Sequence, residues 1–305
     1  MAHPIKFMKE LLVGSYVYHV AKPVNLHALA KTDWGAVTGC THGIGRAYAE
    51  EMAKKGFNVL LIGRTPSKLE KTQTELSQKY PHLKFDVAEI DLTTSKQEDY
   101  EKKMKGKLEE VGFLVNNAGY ATDFPDKLLD QACGLKDAWD TINVNIKGMV
   151  AMTYLSLQSM LPRNGGIIVN VTSGVGGFAF PYITMYSMSK RAGHHFTSAL
   201  MREYPQIYIQ NLAPGWVMTD LAKIREKSWH SVTTDEFAAS AINTVGLARE
   251  TRGNWRNQLY FDFLLYVLPE EVAQKFFAEG MKAKKQESIL YKQDVRDGKK
   301  NKLAK

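Results

Sequence analysis

Thr38-Gly39-Cys40-Thr41-His42-Gly43-Ile44-Gly45 is the stretch on which the reading of this chain turns. It joins a short β-rich run, Ala36–Thr38, to a helical one, Ile44–Lys55. Glycines let the backbone turn sharply and come close to a diphosphate, whose charge a helix N-terminus favours. Many glycine-rich turns bind nothing. Here the turn sits at the first strand-to-helix junction of an alternating chain, which points to a nucleotide.

Outward from that loop the alternation continues. Asn58–Ile62, Lys84–Ile90, Phe113–Asn116, Gly166–Val171 and Ile207–Ala213 are short runs rich in Val, Ile, Leu or Phe. Pro66–Lys79, Ser95–Leu108, a long stretch Leu135–Met160 and Tyr186–Glu203 read as helices between them. Strand, helix, strand in this order predicts an α/β fold with a doubly wound parallel sheet and helices on both faces. No internal repeat of 20–50 residues interrupts it. Residues 1–31 read as an arm, 32–230 as the nucleotide-binding catalytic domain, and 231–305 as a C-terminal lid extension with a basic tail. The βα alternation is expected to end after Trp216.

Composition removes several classes of protein. With 305 residues, 44% apolar and 24% charged, the chain is neither disordered throughout nor too short for a large core. Two cysteines, Cys40 and Cys133, give no disulfide framework and no Cys₄ zinc site. His42, His194 and His195 lack the spacing of a metal set and read as ordinary surface or core histidines, so no metal is expected. The net charge of +8 is concentrated near the C-terminus and comes with no nucleic-acid motif. A solvated tail is the plain reading of that charge. Two apolar runs, Leu11–Val17 and Leu259–Leu268, are too short to span a membrane, which takes about 20 residues. Either could lie on one.

The TGxxxGIG spacing resembles that of the short-chain dehydrogenase/reductases, and four further segments match in unbroken order over about residues 34–220. Asn116-Asn117-Ala118-Gly119 resembles the family's NNAG, and Asp91 stands where the family contacts adenine. Asn145-Ile146-Lys147-Gly148 matches its NxxG, and Pro214-Gly215-Trp216-Val217-Met218-Thr219 its PGxVxT. The resemblance implies a Rossmann-type sheet and NADP(H) held by Gly39, Thr41, Gly43, Ile44, Gly45, Asp91, Asn117, Ala118, Gly119, Pro214, Gly215, Val217 and Thr219, with Tyr186 and Lys190. A homodimer is implied as well.

Family catalysis uses Ser, then Tyr thirteen residues on, then Lys four further. Two sets in this chain have that spacing: Ser67, Tyr80, Lys84 and Ser173, Tyr186, Lys190. Pro81 biases Tyr80 away from helical geometry, and Lys84 enters a strand-like run. Tyr186 and Lys190 instead share one face of a helix, and Ser173 ends a strand at the sheet edge where open α/β sheets bind ligands. The second set is therefore the catalytic one. A phenol titrates near 10, and the Lys190 ammonium is expected to favour its phenolate. Tyr186 would protonate a substrate carbonyl as hydride arrives, and Ser173 would hold the same oxygen. By resemblance Lys190 also holds the nicotinamide ribose, and Asn145 a relay water.

Arg64 decides the cofactor. NAD enzymes place an acid about 20 residues beyond the glycine motif, on the ribose 2′-OH. Leu61-Ile62-Gly63-Arg64-Thr65 has no acid and offers a guanidinium suited to a 2′-phosphate. Lys68 would add field. Within the family, Trp34, Gly43–Glu51, Gly56-Phe57-Asn58-Val59, Leu221–Arg225 and Ser240–Gly246 resemble the 17β-hydroxysteroid dehydrogenase type 3/type 12 and very-long-chain 3-oxoacyl-CoA reductase group. His42 stands where that group often has Asp. The resemblance implies NADPH-dependent reduction of a lipophilic ketone on the cytoplasmic face of the endoplasmic reticulum, by peripheral contact. The alternatives are a cytoplasmic enzyme, a carbonyl reductase for other small ketones or aldehydes, and a non-catalytic cofactor-binding scaffold or sensor.

Overall fold

The computed structural model describes residues 4–296 apart from 123–124, 132–133 and 225. Cys133, Arg225 and the basic tail after Arg296 lie outside the described residues. Two helices, α1 (Pro4–His19) and α2 (Leu26–Ala30), lead into the alternation. It runs β1 (Trp34–Thr38), α3 (Gly43–Lys54), β2 (Asn58–Gly63), α4 (Pro66–Lys79), β3 (Phe85–Glu89), α5 (Gln97–Leu108) and β4 (Val111–Asn116). Then come α6 (Leu135–Ile142), a π-helical turn (Asn143–Gly148), α7 (Met149–Met160), β5 (Ile167–Val171), α8 (Thr184–Glu203) and β6 (Tyr208–Leu212). The chain finishes with α9 (Thr234–Ile242), β7 (Glu250–Thr251), α10 (Trp255–Tyr266) and α11 (Glu270–Arg296).

All seven strands are parallel, in the order β3-β2-β1-β4-β5-β6-β7. The order reverses between β1 and β4, and a crevice opens there at the strands' C-terminal ends. Side chains alternate across the sheet. Val37, Leu61, Phe113 and Val169 face α3, α4 and α9, and Ala36, Leu60, Leu114 and Ile168 face α5, α7 and α8. Both faces are buried, which is why these strands read as nearly continuous apolar runs.

Two expectations need correction. The alternation does not end after Trp216: α9, started by a Thr233–Glu236 capping box, carries the chain to β7 beside β6. The stretch 135–160 is not one regular helix, because a π turn divides it at Asn143–Gly148. Within residues 1–31, expected as an arm, both helices pack on the body of the protein. α1 lies antiparallel along α10, with Phe7 edge-on to Phe263 and His19 edge-on to Trp255. The Tyr18 hydroxyl meets Thr251 Oγ1 at 2.5 Å, tying α1 to β7.

The apolar run at 259–268 is part of α10, and its one charge, Asp262, is buried facing Arg252 at 3.4 Å. Among the described residues no helix is long and apolar enough to cross a membrane. α11 lays Ala273, Phe277 and Met281 inward, at helical spacing. Phe277 stands 4.6 Å from Phe180 and 6.3 Å from Trp216 between ring centres, in an aromatic cluster with Phe261.

Candidate active site

A cavity of about 400 Å³ fills the crevice between β1 and β4. At its floor Gly39 adopts φ +67°, a conformation that costs glycine little. Gly45 meets the other demand on this loop, since a Cβ there would lie 2.3 Å from both the Gly39 carbonyl and Asn117 Nδ2. Thr38, last residue of β1, staples the loop to its neighbour: its Oγ1 accepts from the N–H groups of Asn117 and Ala118, each at 2.9 Å. Asn117 Nδ2 donates to the Thr38 carbonyl at 2.9 Å. The α3 N-terminus therefore faces the crevice on a braced loop. Cys40 is buried beneath it, and burial pushes its thiol up to about 12, well away from a reactive thiolate.

Arg64 and Lys68 line one end of the cavity, with Asp91 beside them. Partial burial works against the Asp91 charge. The Thr93 N–H and hydroxyl, at 2.9 and 2.7 Å, together with the fields of Arg64 and Lys136, hold its carboxyl below the usual range all the same. Ser173, Tyr186 and Lys190 line the other end. The Ser67–Tyr80–Lys84 set is separated from them: Tyr80 caps α4 and its hydroxyl reaches Glu50, while Lys84 lies beyond the helix.

Burial pushes the Tyr186 phenol up to about 12, and a hydrogen bond with Ser173 opposes the rise. This reverses the expected direction. The reason is the aim of Lys190, whose ammonium donates to the Val171 carbonyl at 3.0 Å and stands 5.6 Å from the Tyr186 ring centre. Burial in turn pulls Lys190 down to about 8.

Gly39, Thr41, Gly43, Ile44, Asn117, Ala118, Gly119, Pro214, Gly215, Val217 and Thr219 all line the same cavity. Gly45 and Asn145 do not; they support it from behind. Asn145 is buried in the π turn, which widens the helix by a residue and brings its amide to Tyr120. Its Oδ1 accepts from the Tyr120 N–H at 2.7 Å, and its Nδ2 donates to the Tyr120 carbonyl and to Ser189 Oγ, both at 2.9 Å.

Two residues that matter carried no signal in the sequence. Asn257 of α10 accepts from the Gly215 N–H at 2.9 Å and donates to the His230 carbonyl at 3.0 Å. Phe261, one turn on, fills the space where a Cβ at Gly174 or Gly215 would stand, 2.5 Å away in each case. Their spacing belongs to an ordinary helix, and only the fold brings them to the PG segment. Among the described residues no group of His, Cys, Asp and Glu is arranged to hold a metal ion.

The residues fit a nicotinamide dinucleotide. A helix N-terminus and two cations suit phosphates at one end, and a half-buried Ser–Tyr pair beside a buried Lys suits proton transfer at the other. The short chain dehydrogenase family profile matches residues 34–229, and the chain belongs to that family. It is a nicotinamide-dependent oxidoreductase of the group that holds steroid dehydrogenases and very-long-chain 3-oxoacyl-CoA reductases. A very-long-chain 3-oxoacyl-CoA reductase of Macaca fascicularis is 39% identical over 225 residues, 72% of this chain and 71% of its own. A Caenorhabditis elegans protein provisionally named a steroid dehydrogenase is 37% identical over 272 residues, 87% and 84%. In fold, a short-chain dehydrogenase of Sphingobium yanoikuyae solved with NADPH superposes with TM-score 0.63 at 22% identity, over 72% of this chain and 86% of that one.

Proposed function

We propose that this enzyme reduces the ketone of a lipophilic substrate, a steroid 17-ketone or a long-chain 3-oxoacyl-CoA, with NADPH. One observation carries the reading: Ser173, Tyr186 and Lys190 close one end of a cavity whose other end holds Arg64 and no acid on the β2 side. NADPH, when bound, supplies the hydride to the carbonyl carbon. Tyr186, held protonated by its burial, gives its proton to the carbonyl oxygen, so the product is the alcohol. Ser173 donates a hydrogen bond to that oxygen as its charge grows. Lys190, one turn along the same helix face, would favour the phenolate left behind once its ammonium turns from the Val171 carbonyl toward the phenol. Arg64 takes the 2′-phosphate with its planar fork.

The aromatic cluster of Phe180, Trp216 and Phe277 supports a lipophilic substrate, with α11 as the lid. The exposed apolar row Ile5, Met8, Leu12 and Tyr16 on α1, with Lys6 and Lys9 between, supports peripheral contact with the cytoplasmic face of the endoplasmic reticulum. Tyr186→Phe tests the mechanism. NADPH binding, read by cofactor fluorescence, should stay within about twofold while turnover falls by on the order of a hundredfold or more. Unchanged turnover would remove Tyr186 from the chemistry. NADPH oxidation against a steroid 17-ketone, a long 3-oxoacyl-CoA and a simple aldehyde separates the substrate classes.

A further inference from the structure

Tyr120 lines the main cavity, and its hydroxyl donates at 2.7 Å to Oδ1 of Asp137, which does not line it. Asp137 is a buried carboxylate on α6, and its backbone carbonyl accepts from Thr141 Oγ1 at 2.7 Å. The main chain of Tyr120 is gripped at both its N–H and its carbonyl by the single amide of Asn145. The same amide donates to Ser189 Oγ, which donates to the Tyr186 carbonyl at 2.8 Å. A continuous chain of hydrogen bonds thus runs from Asp137 through Tyr120, Asn145 and Ser189 to the backbone of the proton donor. One residue earlier, a Cβ on Gly119 would lie 3.5 Å from Lys190 Nζ. The 119–120 backbone therefore passes beside the Lys190 ammonium.

We infer that Tyr120 and Asp137 form a positioning pair for the reduction: their hydroxyl–carboxylate bond locks the 119–120 backbone, and through Asn145 that lock fixes Lys190 and Tyr186 relative to the substrate carbonyl. Neither residue touches the reacting atoms. A hydroxyl donating to a buried acceptor oxygen holds both groups in one geometry, because breaking the bond would leave a buried polar atom without this partner. The bond also fastens the one end of Tyr120 that Asn145 does not reach. Geometry at this distance from the chemistry matters because a misplacement of about 1 Å can cost on the order of a hundredfold in rate.

The inference rests on the proposed roles of Tyr186 and Lys190, and its test has an arm that does not. In the protein without added cofactor, amide hydrogen exchange reports the Tyr120 N–H directly. Tyr120→Phe and Asp137→Leu should each speed exchange at residues 119–121 by on the order of tenfold. Asp137→Asn keeps an acceptor oxygen and should leave exchange near the wild-type rate. In turnover, the first two variants should lower kcat on the order of tenfold with KM for NADPH within about twofold, and the double variant should be no slower than either single one. Asp137→Asn should restore kcat. Unchanged exchange in Tyr120→Phe overturns the lock. Faster exchange with an unchanged kcat overturns its catalytic meaning and leaves a purely structural bond. Wild-type protein inactive toward every ketone offered would defeat the proposed reaction, while the exchange arm would still decide the lock.

Discussion

Lys190 is 3% exposed, and its charge is carried in a place that disfavours charge, with its pKa pulled down to about 8. Below pH 8 it is protonated in both folded and unfolded chains, and the fold bears the full cost. Between 8 and 10.5 the unfolded chain holds more protons, so this group's contribution makes stability rise with pH across that window. Lys190→Met should therefore raise the unfolding free energy at pH 7, read as a higher urea midpoint, by on the order of 1–3 kcal/mol after the lost bond to Val171 is allowed for. That gain should shrink as pH climbs from 8 to 10.5. A midpoint that falls at pH 7 would contradict the account. Wild-type turnover that depends on the ammonium should decline as pH rises through about 8. At the far end of the cavity, Arg64→Asp should weaken NADPH binding by at least about tenfold and move preference toward NADH, since a carboxylate repels the 2′-phosphate and suits a 2′-hydroxyl. Equal or better kcat/KM with NADH in the wild type would defeat the assignment.

At the scale of elements, α10 is the unexpected participant. Asn257→Leu would leave the Gly215 N–H and the His230 carbonyl without this partner, at a cost of about 1–3 kcal/mol. KM for NADPH should rise several-fold, because Gly215 lines the cavity; a variant with lowered Tm but unchanged KM would confine Asn257 to stability. The six long strands and the helices between them were legible because each buries its own periodic set of apolar residues, and the glycine loop because backbone geometry demands particular residue types. β7 was not, since two residues carry no period. Nor was the π turn, which depends on where Asn145 must point rather than on propensity. The contact of Asn257 with Gly215 joins positions 42 apart and leaves no local trace. The direction of the Tyr186 shift is not legible for a related reason: spacing places Lys190 on the right face, but only the fold shows its ammonium bonded to Val171.

For the molecule as a whole, one surface stands out. Ile5, Met8, Leu12 and Tyr16 face outward on α1, and Trp229 and Trp255 are partly exposed near its C-terminal end, where His19 meets Trp255. Tryptophan favours the headgroup level of a bilayer. Membranes from expressing cells should retain the protein in low salt and release it on carbonate or high-salt washing; protein that is soluble from the outset rules the attachment out. The opposite face of α1 reaches toward the site. α1 rests on α10, and α10 holds Gly215 and packs Phe261 over Gly174. α1 is thus part of the support for the cofactor loop. A shortened enzyme lacking it, made for convenience of purification, would lose the buttress behind its cofactor loop, and sluggish turnover measured on it would describe the truncation instead of the enzyme.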